Sequence, residues 1–301
     1  MQASIQEKSV GERSIGAILI ERGRLTAVNA ERILREQTAS NTRFGDAALK
    51  LGLLTEEDIR FALANQFEYP YLEPKDKSVS DELVAAFNPS ARIIEQIRAL
   101  RTQLMLRWFN IDAKRKSIAV VSLDSGDGRS FIAANLAVVF SQLGERTLLI
   151  DADMRGSRLH QMFKIPNNVG LSAVLAGRAD PREAVVKVNK LLGLSVLPAG
   201  AAPPNPQELL SRDSFSTMLN TYKADYDIIL IDTPAASECA DAQAISSRVG
   251  AAFLVACNNR TPSTALEQLA DTLRDSNVAI VGAILNDFDV QSSRSGKSKE
   301  K

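Results

Sequence analysis

Short apolar runs divide the C-terminal two thirds of the chain into strand-sized segments. None of them alternates with a regular polar face, which is typical of parallel strands buried on both sides. The stretch that follows the first run repeats its apolar residues at helical spacing and ends near Gly144, a natural helix C-cap. This pattern predicts an α/β fold with a mostly parallel sheet. The predicted strands are residues 117–122, 147–150, 227–231, 251–256 and 279–285.

A glycine-rich turn joins the first predicted strand to the predicted helix. In such a turn, consecutive backbone N–H groups and the positive end of the helix dipole converge on one spot, which favours an anion. The sequence therefore predicts a cradle for a nucleotide phosphate. Its predicted binding residues are Gly126, Asp127, Gly128, Arg129, Ser130 and Phe131.

The turn matches a Walker A motif only in part. Leu123 stands where the motif has Gly, and Arg129 stands where it has Lys, so that only Gly128 and Ser130 agree. A Rossmann dinucleotide site is one alternative, because Gly126 and Gly128 open a helix, although Phe131 occupies the place of the third glycine. A structural turn that binds no ligand is the other alternative.

Acidic residues at two further strand ends favour the P-loop interpretation. Asp151 and Asp153 follow the second predicted strand, and Asp232 follows the third. Because the carboxyl ends of parallel strands meet at one edge of the sheet, the three carboxylates should converge on the phosphates. Carboxylate oxygens suit Mg²⁺. The sequence thus predicts a P-loop NTPase fold that binds ATP and Mg²⁺.

The first 72 residues contain an internal repeat with a period of 29 positions. Gly16 reappears as Gly45, Gly23 as Gly52 and Gln37 as Gln66. Each copy is predicted to form a short helix that ends at glycine, followed by a helix capped by threonine. The pattern predicts a small helical N-terminal domain in which the two copies bury each other's apolar faces.

The repeat and the predicted sheet suggest four segments. Residues 1–72 form the helical repeat domain, 73–88 a linker, 89–290 the P-loop domain, and 291–301 a serine- and lysine-rich tail that should be disordered. A helix is expected to start at Asn88 and Pro89. On that helix Glu95, Arg98 and Arg101 step by three along one side, which is most simply a solvated face with intrahelical ion pairs.

Composition excludes several classes of protein. Lys and Arg together number 36, and so do Asp and Glu, so the overall charge does not indicate a nucleic acid or an anionic membrane as partner. No apolar run approaches the length of about 20 residues that a membrane span requires, and the N-terminus lacks the apolar core of a signal peptide. The expected location is cytoplasmic.

The C-terminal two thirds resemble bacterial tyrosine kinases of exopolysaccharide biosynthesis. The resemblance rests on Glu95-x-x-Arg98-x-x-Arg101, the 126–130 loop, Asp151-x-Asp153-x-Arg155, and the strand end at Asp232 with Asp241 beyond it. The N-terminal segment resembles the N-terminal domain of type II secretion ATPases, whose repeats can bind cyclic di-GMP. The matching residues there are Arg43, Gly45, Gly52 and Gln66.

The kinase resemblance implies a role for each matching residue. Asp151 would prepare the acceptor hydroxyl together with Arg129 as a catalytic cation, and Ser130, Asp153 and Asp232 would hold Mg²⁺. Glu95, Arg98 and Arg101 would make the contacts of a homo-oligomeric ring. The implied partner is a membrane polysaccharide co-polymerase that sets chain length and recruits the kinase to the inner membrane.

Two features depart from that family. Arg129 replaces the P-loop lysine, and the tail from Gln291 to Lys301 carries no tyrosine, although a tyrosine cluster there is the usual site of phosphorylation. We therefore expect an acceptor tyrosine on another protein. An ATPase switch without kinase activity and a cyclic di-GMP-responsive adaptor remain the alternatives.

Overall fold

A computed structural model describes residues 14–66, 71–73, 76–88 and 90–287 of the chain. The chain divides into two compact units, Met1–Pro74 and Lys75–Lys301. Each unit has a core of its own. The predicted tail and Tyr69 lie outside the described residues.

The first unit consists of two helix pairs related by the repeat. Their helices are α1 (Ile15–Glu21), α2 (Ala27–Ser40), α3 (Phe44–Lys50) and α4 (Glu56–Gln66). The Thr26 hydroxyl accepts the N–H of Asn29, and Thr55 and Asp58 cap each other at the start of α4. The first helices of the two pairs start at Ile15 and Phe44, which are 29 positions apart, so the predicted repeat is confirmed. The hydrogen bonds of Thr26 and Thr55 confirm the predicted threonine caps.

The second unit is built on a sheet that is parallel except at one edge. The strands described are β1 (Ser117–Ser122), β2 (Thr147–Asp151), β3 (Val186–Lys187), β4 (Leu194–Leu197), β5 (Ile228–Asp232), β6 (Ala251–Cys257) and β7 (Ala279–Asn286). Their order is β3-β4-β2-β5-β1-β6-β7, and only β3 pairs antiparallel, with β4. The five predicted strands and the mostly parallel sheet are confirmed, whereas the sequence pattern missed β3 and β4. Each of those two strands is too short to leave a clear apolar run.

Helices cover both faces of this sheet. They are α5 (Val84–Phe87), α6 (Arg92–Leu104, followed by a π-helical turn Met105–Phe109), α7 (Arg129–Ser141), α8 (Leu159–Met162), α9 (Leu171–Leu175), α10 (Pro206–Leu210), α11 (Asp213–Asp225), α12 (Asp241–Val249) and α13 (Ser263–Asp275). The helix α7, which follows the glycine-rich turn, is almost entirely buried. Central β1 and β2 are buried along their whole lengths, which explains their continuous apolar sequences.

The segment predicted as a linker differs from a linker in the structure. Residues 76–88 belong to the second unit, where Val79 and Leu83 are buried. Two amide side chains hold the segment: Asn135 of α7 accepts the N–H of Ala85 at 2.9 Å, and Gln142, the C-cap of α7, donates to the Ala85 carbonyl at 2.9 Å. Its polar start at residues 73–78 suggested a flexible connection, but the apolar residues that follow are core residues.

The helix expected at Asn88 starts later than predicted. Asn88 is the C-cap of α5, and α6 begins at Arg92. The expected apolar stripe is present, with Ile94, Ile97 and Leu104 buried. The cap-then-proline pattern therefore marks the junction between two helices and not the first turn of the second.

Candidate nucleotide and metal site

The glycine-rich turn has the backbone shape of a phosphate cradle. Gly126 and Gly128 take φ values of +83° and +92°, a region that side chains with a Cβ disfavour. Gly128 also has no room for a Cβ, because the Asn286 amide nitrogen would lie 2.1 Å from it. The next residue, Arg129, begins α7, so the turn sits at a helix N-terminus. Both conditions for holding an anion are met at one place.

The carboxylates predicted to converge do lie at one edge of the sheet. Asp151 ends β2, Asp232 ends β5, and the two residues are paired directly across these adjacent strands. Asp153 lies two residues beyond β2, and its carboxylate shares a cation with Asp232. Asp151 and Asp232 are almost completely buried. The strand register therefore brings acids from distant parts of the sequence together beside the turn.

Arg129 is the shared cation. Its Nε donates to Asp232 Oδ1 at 3.0 Å, and one terminal nitrogen donates to Asp153 Oδ2 at 3.2 Å. The other terminal nitrogen donates to the Ser122 hydroxyl at 2.8 Å, and the residue is only 7% exposed. The planar fork of arginine thus reaches from the helix start to two strand ends, which a lysine ammonium would not bridge in the same way. Sequence reasoning placed Arg129 at the phosphates and did not anticipate these carboxylate partners.

Burial shifts the protonation of these acids. It raises the pKa of Asp151 well above the ordinary carboxyl value, and the neighbouring Asp232 carboxylate raises it further, while the backbone N–H of Leu159 opposes the change. Burial also raises the pKa of Asp232, although the positive charge of Arg129 and a hydrogen bond from Ser130 oppose the effect. One oxygen of Asp151 is buried without a hydrogen-bond partner among the described residues. The pair is therefore a charged cluster with one incompletely compensated acid.

The donor set fits Mg²⁺ that arrives with a phosphate group. Asp153, Asp232 and the Ser130 hydroxyl offer oxygen ligands of the kind that Mg²⁺ takes, and Ser130 is near enough to Asp232 to lower the pKa of that carboxyl. Within the described residues, no group of three acidic, histidine or cysteine side chains is arranged to hold a metal by itself. Mg²⁺ commonly uses one or two carboxylates together with substrate phosphates and water, so this sparse set is sufficient.

The loop after β2 is fixed around Asp153 and borders an open cavity. Asp153 Oδ1 accepts the N–H groups of Arg155 and Gly156, and Arg155 pairs with buried Asp241 at 2.9 Å. The cavity beside this loop has a volume of about 600 Å³. Its lining residues are Met154, Arg155, Gly156, Ser157, Arg158, Gln161, Asn167, Gly200, Ala201 and Ala202.

The other predicted site residues lie elsewhere. Glu95 and Arg98 form an ion pair within α6, as expected for a helix surface with local pairing. Arg101 departs from that expectation, because it donates to the Val139 carbonyl of α7 at 3.1 Å. Arg43, Gly45, Gly52 and Gln66 belong to the first unit, where Arg43 is exposed. Three further residues contact the glycine-rich turn or Arg129: Ser122, Arg260 and Asn286. The sequence analysis did not predict them, because no motif in the sequence marks them.

Comparison with known proteins identifies the family. A family model described as cellulose biosynthesis protein BcsQ matches residues 115–294. Tyrosine-protein kinase YwqD of Bacillus subtilis (strain 168) is 35% identical over 204 residues, which cover 68% of this chain and 85% of YwqD. The chain belongs to the bacterial tyrosine-protein kinases. The kinase domain of the Escherichia coli tyrosine kinase ETK matches with a TM-score of 0.66 and 31% identity, covering 71% of this chain and 82% of that domain.

A P-loop ATPase outside the kinases shares the fold. The septum site-determining protein MinD of Pyrococcus horikoshii, solved with Mg-ADP, matches with a TM-score of 0.51 and 26% identity, covering 60% of this chain and 76% of MinD. The P-loop fold predicted from the sequence is thereby confirmed. Among the residues that the structure describes, no helix is long and apolar enough to cross a membrane.

The raised pKa of Asp151 predicts a pH-dependent gain in stability for Asp151→Asn. Because the folded-state pKa of Asp151 lies above the ordinary value of 3.8, the wild type loses stability as the pH rises from that value towards the folded-state pKa, since the carboxyl ionises in the unfolded chain but stays protonated where it is buried. Asparagine cannot ionise, and its carbonyl oxygen can accept the N–H groups of Arg158 and Leu159 that Asp151 now accepts. The melting temperature should rise by roughly 2–4 °C at pH 8 for each kcal/mol gained.

The gain should shrink as the pH is lowered from 8 towards 4, where the Asp151 carboxyl becomes protonated in the unfolded chain as well as in the folded one. Differential scanning calorimetry of the nucleotide-free protein measures it. Exposed Asp271→Asn serves as the control and should show no such gain at either pH. A lower melting temperature for Asp151→Asn at pH 8 would contradict the uncompensated-charge interpretation.

Proposed function

We propose that this protein is an ATP-dependent protein-tyrosine kinase that regulates polysaccharide chain length, polymerisation or export. The observation that supports it most is the meeting of the phosphate cradle with Asp153 and Asp232 at one edge of the sheet. Phosphoryl transfer requires placed positive charge and fixed donors more than covalent participation of the protein. The membership of the chain in the bacterial tyrosine-protein kinases supplies the acceptor class.

Each residue of the site then has a chemical task. The backbone N–H groups from Gly126 to Ser130 hold phosphate oxygens, with Phe131 in the first turn of α7. The Ser130 hydroxyl, Asp153 and Asp232 hold Mg²⁺, which when bound offsets the charge that develops on the phosphates. Burial raises the pKa of Asp151, which is the direction that favours a general base, and we assign Asp151 to the acceptor hydroxyl.

Arg129 has two sets of partners available. In the structure its guanidinium lies between the carboxylates that would take the metal. With Mg²⁺ on these carboxylates, Arg129 would give up part of that contact and would supply positive charge to the phosphate oxygens of ATP. A guanidinium is a planar fork with five N–H donors, a shape that suits both carboxylate and phosphate oxygens.

The acceptor tyrosine belongs to another protein. Tyr222 is fully buried, and its hydroxyl donates to the Pro181 carbonyl at 2.7 Å. Burial also raises the pKa of Tyr222, which disfavours its deprotonation. The serines of the tail are poor substitutes for an acceptor tyrosine, because a serine hydroxyl stops several ångströms short of the position that a tyrosine hydroxyl would reach. We assign the cavity beside Asp153 as the approach for a tyrosine of the membrane co-polymerase or of a sugar-transfer enzyme.

Radiolabelled ATP distinguishes this function from its alternatives. The full chain is incubated with Mg²⁺, γ-labelled ATP and the cytoplasmic part of a polysaccharide co-polymerase, and phosphotyrosine is mapped by mass spectrometry. We expect label on the partner. Release of phosphate without labelled protein would favour the ATPase switch, and neither product would favour the adaptor.

Variants of the metal ligands provide the internal test of that experiment. Asp153→Ala and Asp232→Ala should abolish turnover, because the charge on the phosphates is left uncompensated. Arg129→Lys should retain it, since an ammonium can still reach the phosphates. Asp271→Ala, which removes an exposed carboxylate on α13, is the matched control and should behave as the wild type.

We also propose that the kinase forms a homo-oligomer through α6. Glu95 is largely exposed, and its pair with Arg98 can be exchanged for a pair across a head-to-tail contact, which closes a ring when the rotation allows. The double variant Glu95→Ala, Arg98→Ala should give a smaller particle by light scattering. The control replaces exposed Gln96 and Gln103 of the same helix by Ala. An unchanged mass in both variants would leave the pair as a feature of the helix surface only.

Cyclic di-GMP is the ligand that we propose for the first unit. Arg43 is exposed at the start of α3, and Gly52 has φ of +63° with open space where a Cβ would lie, so a flat ligand can approach the backbone there. Gly45 and Gln66 complete the matching set. Calorimetry should show binding that Arg43→Ala removes and exposed Arg35→Ala retains. Equal binding by both variants would exclude Arg43 as a contact.

A further inference from the structure

Side chains on the outer side of the nucleotide turn hold three consecutive carbonyl groups. The Arg260 guanidinium donates to the carbonyls of Ser125 at 3.3 Å and Gly126 at 3.2 Å. The Asn286 amide donates to the Asp127 carbonyl at 2.9 Å. Arg260 lies in the loop after β6, and Asn286 is the last residue of β7. The turn is therefore held from the β6 and β7 side, opposite to the carboxylates of β2 and β5.

These contacts set the direction of the N–H groups in the same peptide planes. A trans peptide is planar, and its N–H points opposite to its C=O. The carbonyls of residues 125, 126 and 127 point towards Arg260 and Asn286, so the N–H groups of Gly126, Asp127 and Gly128 point to the other side. None of these N–H groups has an acceptor among the described residues. Three adjacent donors thus face the space where a phosphate would bind.

The Asn286 contact is the more restrictive of the two. Asn286 is buried, with 7% of its surface exposed, and its amide nitrogen fills the space next to the Gly128 α-carbon. An amide buried there must donate its N–H, because an unpaired buried donor is unfavourable. The Asp127 carbonyl is the acceptor, so the Asp127–Gly128 peptide has little freedom to turn over.

We propose that Asn286 and Arg260 are positioning residues that preset the phosphate cradle by holding these carbonyls. The proposal rests on the nucleotide-binding function argued above. Neither side chain is assigned a contact with ATP; each acts through the backbone. Their removal should weaken binding of the diphosphate group more than it changes the transfer step, so KM for ATP should rise while kcat changes less.

Asn286→Asp is the sharpest variant because it keeps the shape and removes the donor. A carboxylate oxygen would then face the Asp127 carbonyl, and the two acceptors repel each other. We expect the Kd of Mg²⁺ and ADP on the full chain to rise about tenfold or more, since a turned Asp127–Gly128 peptide would lose the hydrogen bond from the Gly128 N–H to the charged phosphate, and a bond of that kind is worth at least that factor. Asn220→Asp, an exposed position on α11, makes the same change in charge and should leave Kd unaltered.

Arg260 provides an independent arm of the test that does not depend on a buried substitution. Arg260→Gln should raise the Kd about threefold, and Arg260→Lys should recover part of the loss, since an ammonium can still donate to one carbonyl. Arg274→Gln, an exposed arginine on neighbouring α13, is the control. Because Arg260 is exposed, folding of these variants should be unaffected, and circular dichroism checks it.

The ³¹P NMR shift of the β-phosphate of bound ADP reports the cradle directly. It should move in Asn286→Asp and Arg260→Gln and stay at the wild-type position in both controls. Unchanged Kd and unchanged shift in Arg260→Gln and Asn286→Asp would overturn the proposal. Absence of ADP binding by the wild type would instead contradict the proposed nucleotide function itself, so the two failures are distinguishable.

Discussion

Two acidic residues buried side by side at the ends of β2 and β5 impose the main constraint on this site. Asp151 and Asp232 are paired across adjacent strands, where water is excluded. Such an arrangement is tolerable only if a cation or hydrogen-bond donors compensate the charge. Arg129 provides the cation, and the backbone N–H groups of Arg158 and Leu159 provide the donors for Asp151. The turn, the helix that starts with Arg129 and the loop after β2 all depend on this compensation.

The same constraint relates stability to function. A fully neutralised cluster would stabilise the fold but leave no ligands for a metal, whereas an unpaired cluster would be hard to fold. With the charge of Arg129 shared between Asp153 and Asp232, the nucleotide-free protein keeps its acids together without a metal. On the proposed function, binding of Mg²⁺ and ATP would exchange one set of compensating charges for another, which would require less rearrangement than assembling the acids from separate positions.

Much of the site could be predicted because its determinants are local or follow from the sheet. The strands around Val120 and Ile150 are continuous apolar runs, and the carboxyl ends of parallel strands must meet, so the convergence of the three acids was foreseeable. The capped repeat was foreseeable for the same reason, since Thr26 and Thr55 act within a few residues of themselves. The core role of residues 79–86 was not, because it depends on the amide side chains of Asn135 and Gln142, which are 50 and 57 positions from Ala85 in sequence.

The contacts of Asn286 and Arg260 with the turn also depend on residues that are distant in sequence. They explain why the turn has the shape of a phosphate cradle although it matches the Walker A motif poorly. A motif records only residues next to each other in sequence, but the orientation of the Asp127–Gly128 peptide depends on Asn286, 159 positions away. The two sides of the central strand β1 differ in charge. The acidic residues and the Arg129 that bridges them lie on the β2 and β5 side, whereas the donors Asn286 and Arg260 lie on the β6 and β7 side. The β2 and β5 side suits the metal and the transferred phosphate. On the β6 and β7 side, Asn286 and Arg260 are not acidic, and they hold the turn so that its N–H groups point towards an anion site. An arginine in place of the motif's lysine therefore leaves both the carboxylates on one side and these donors on the other in place.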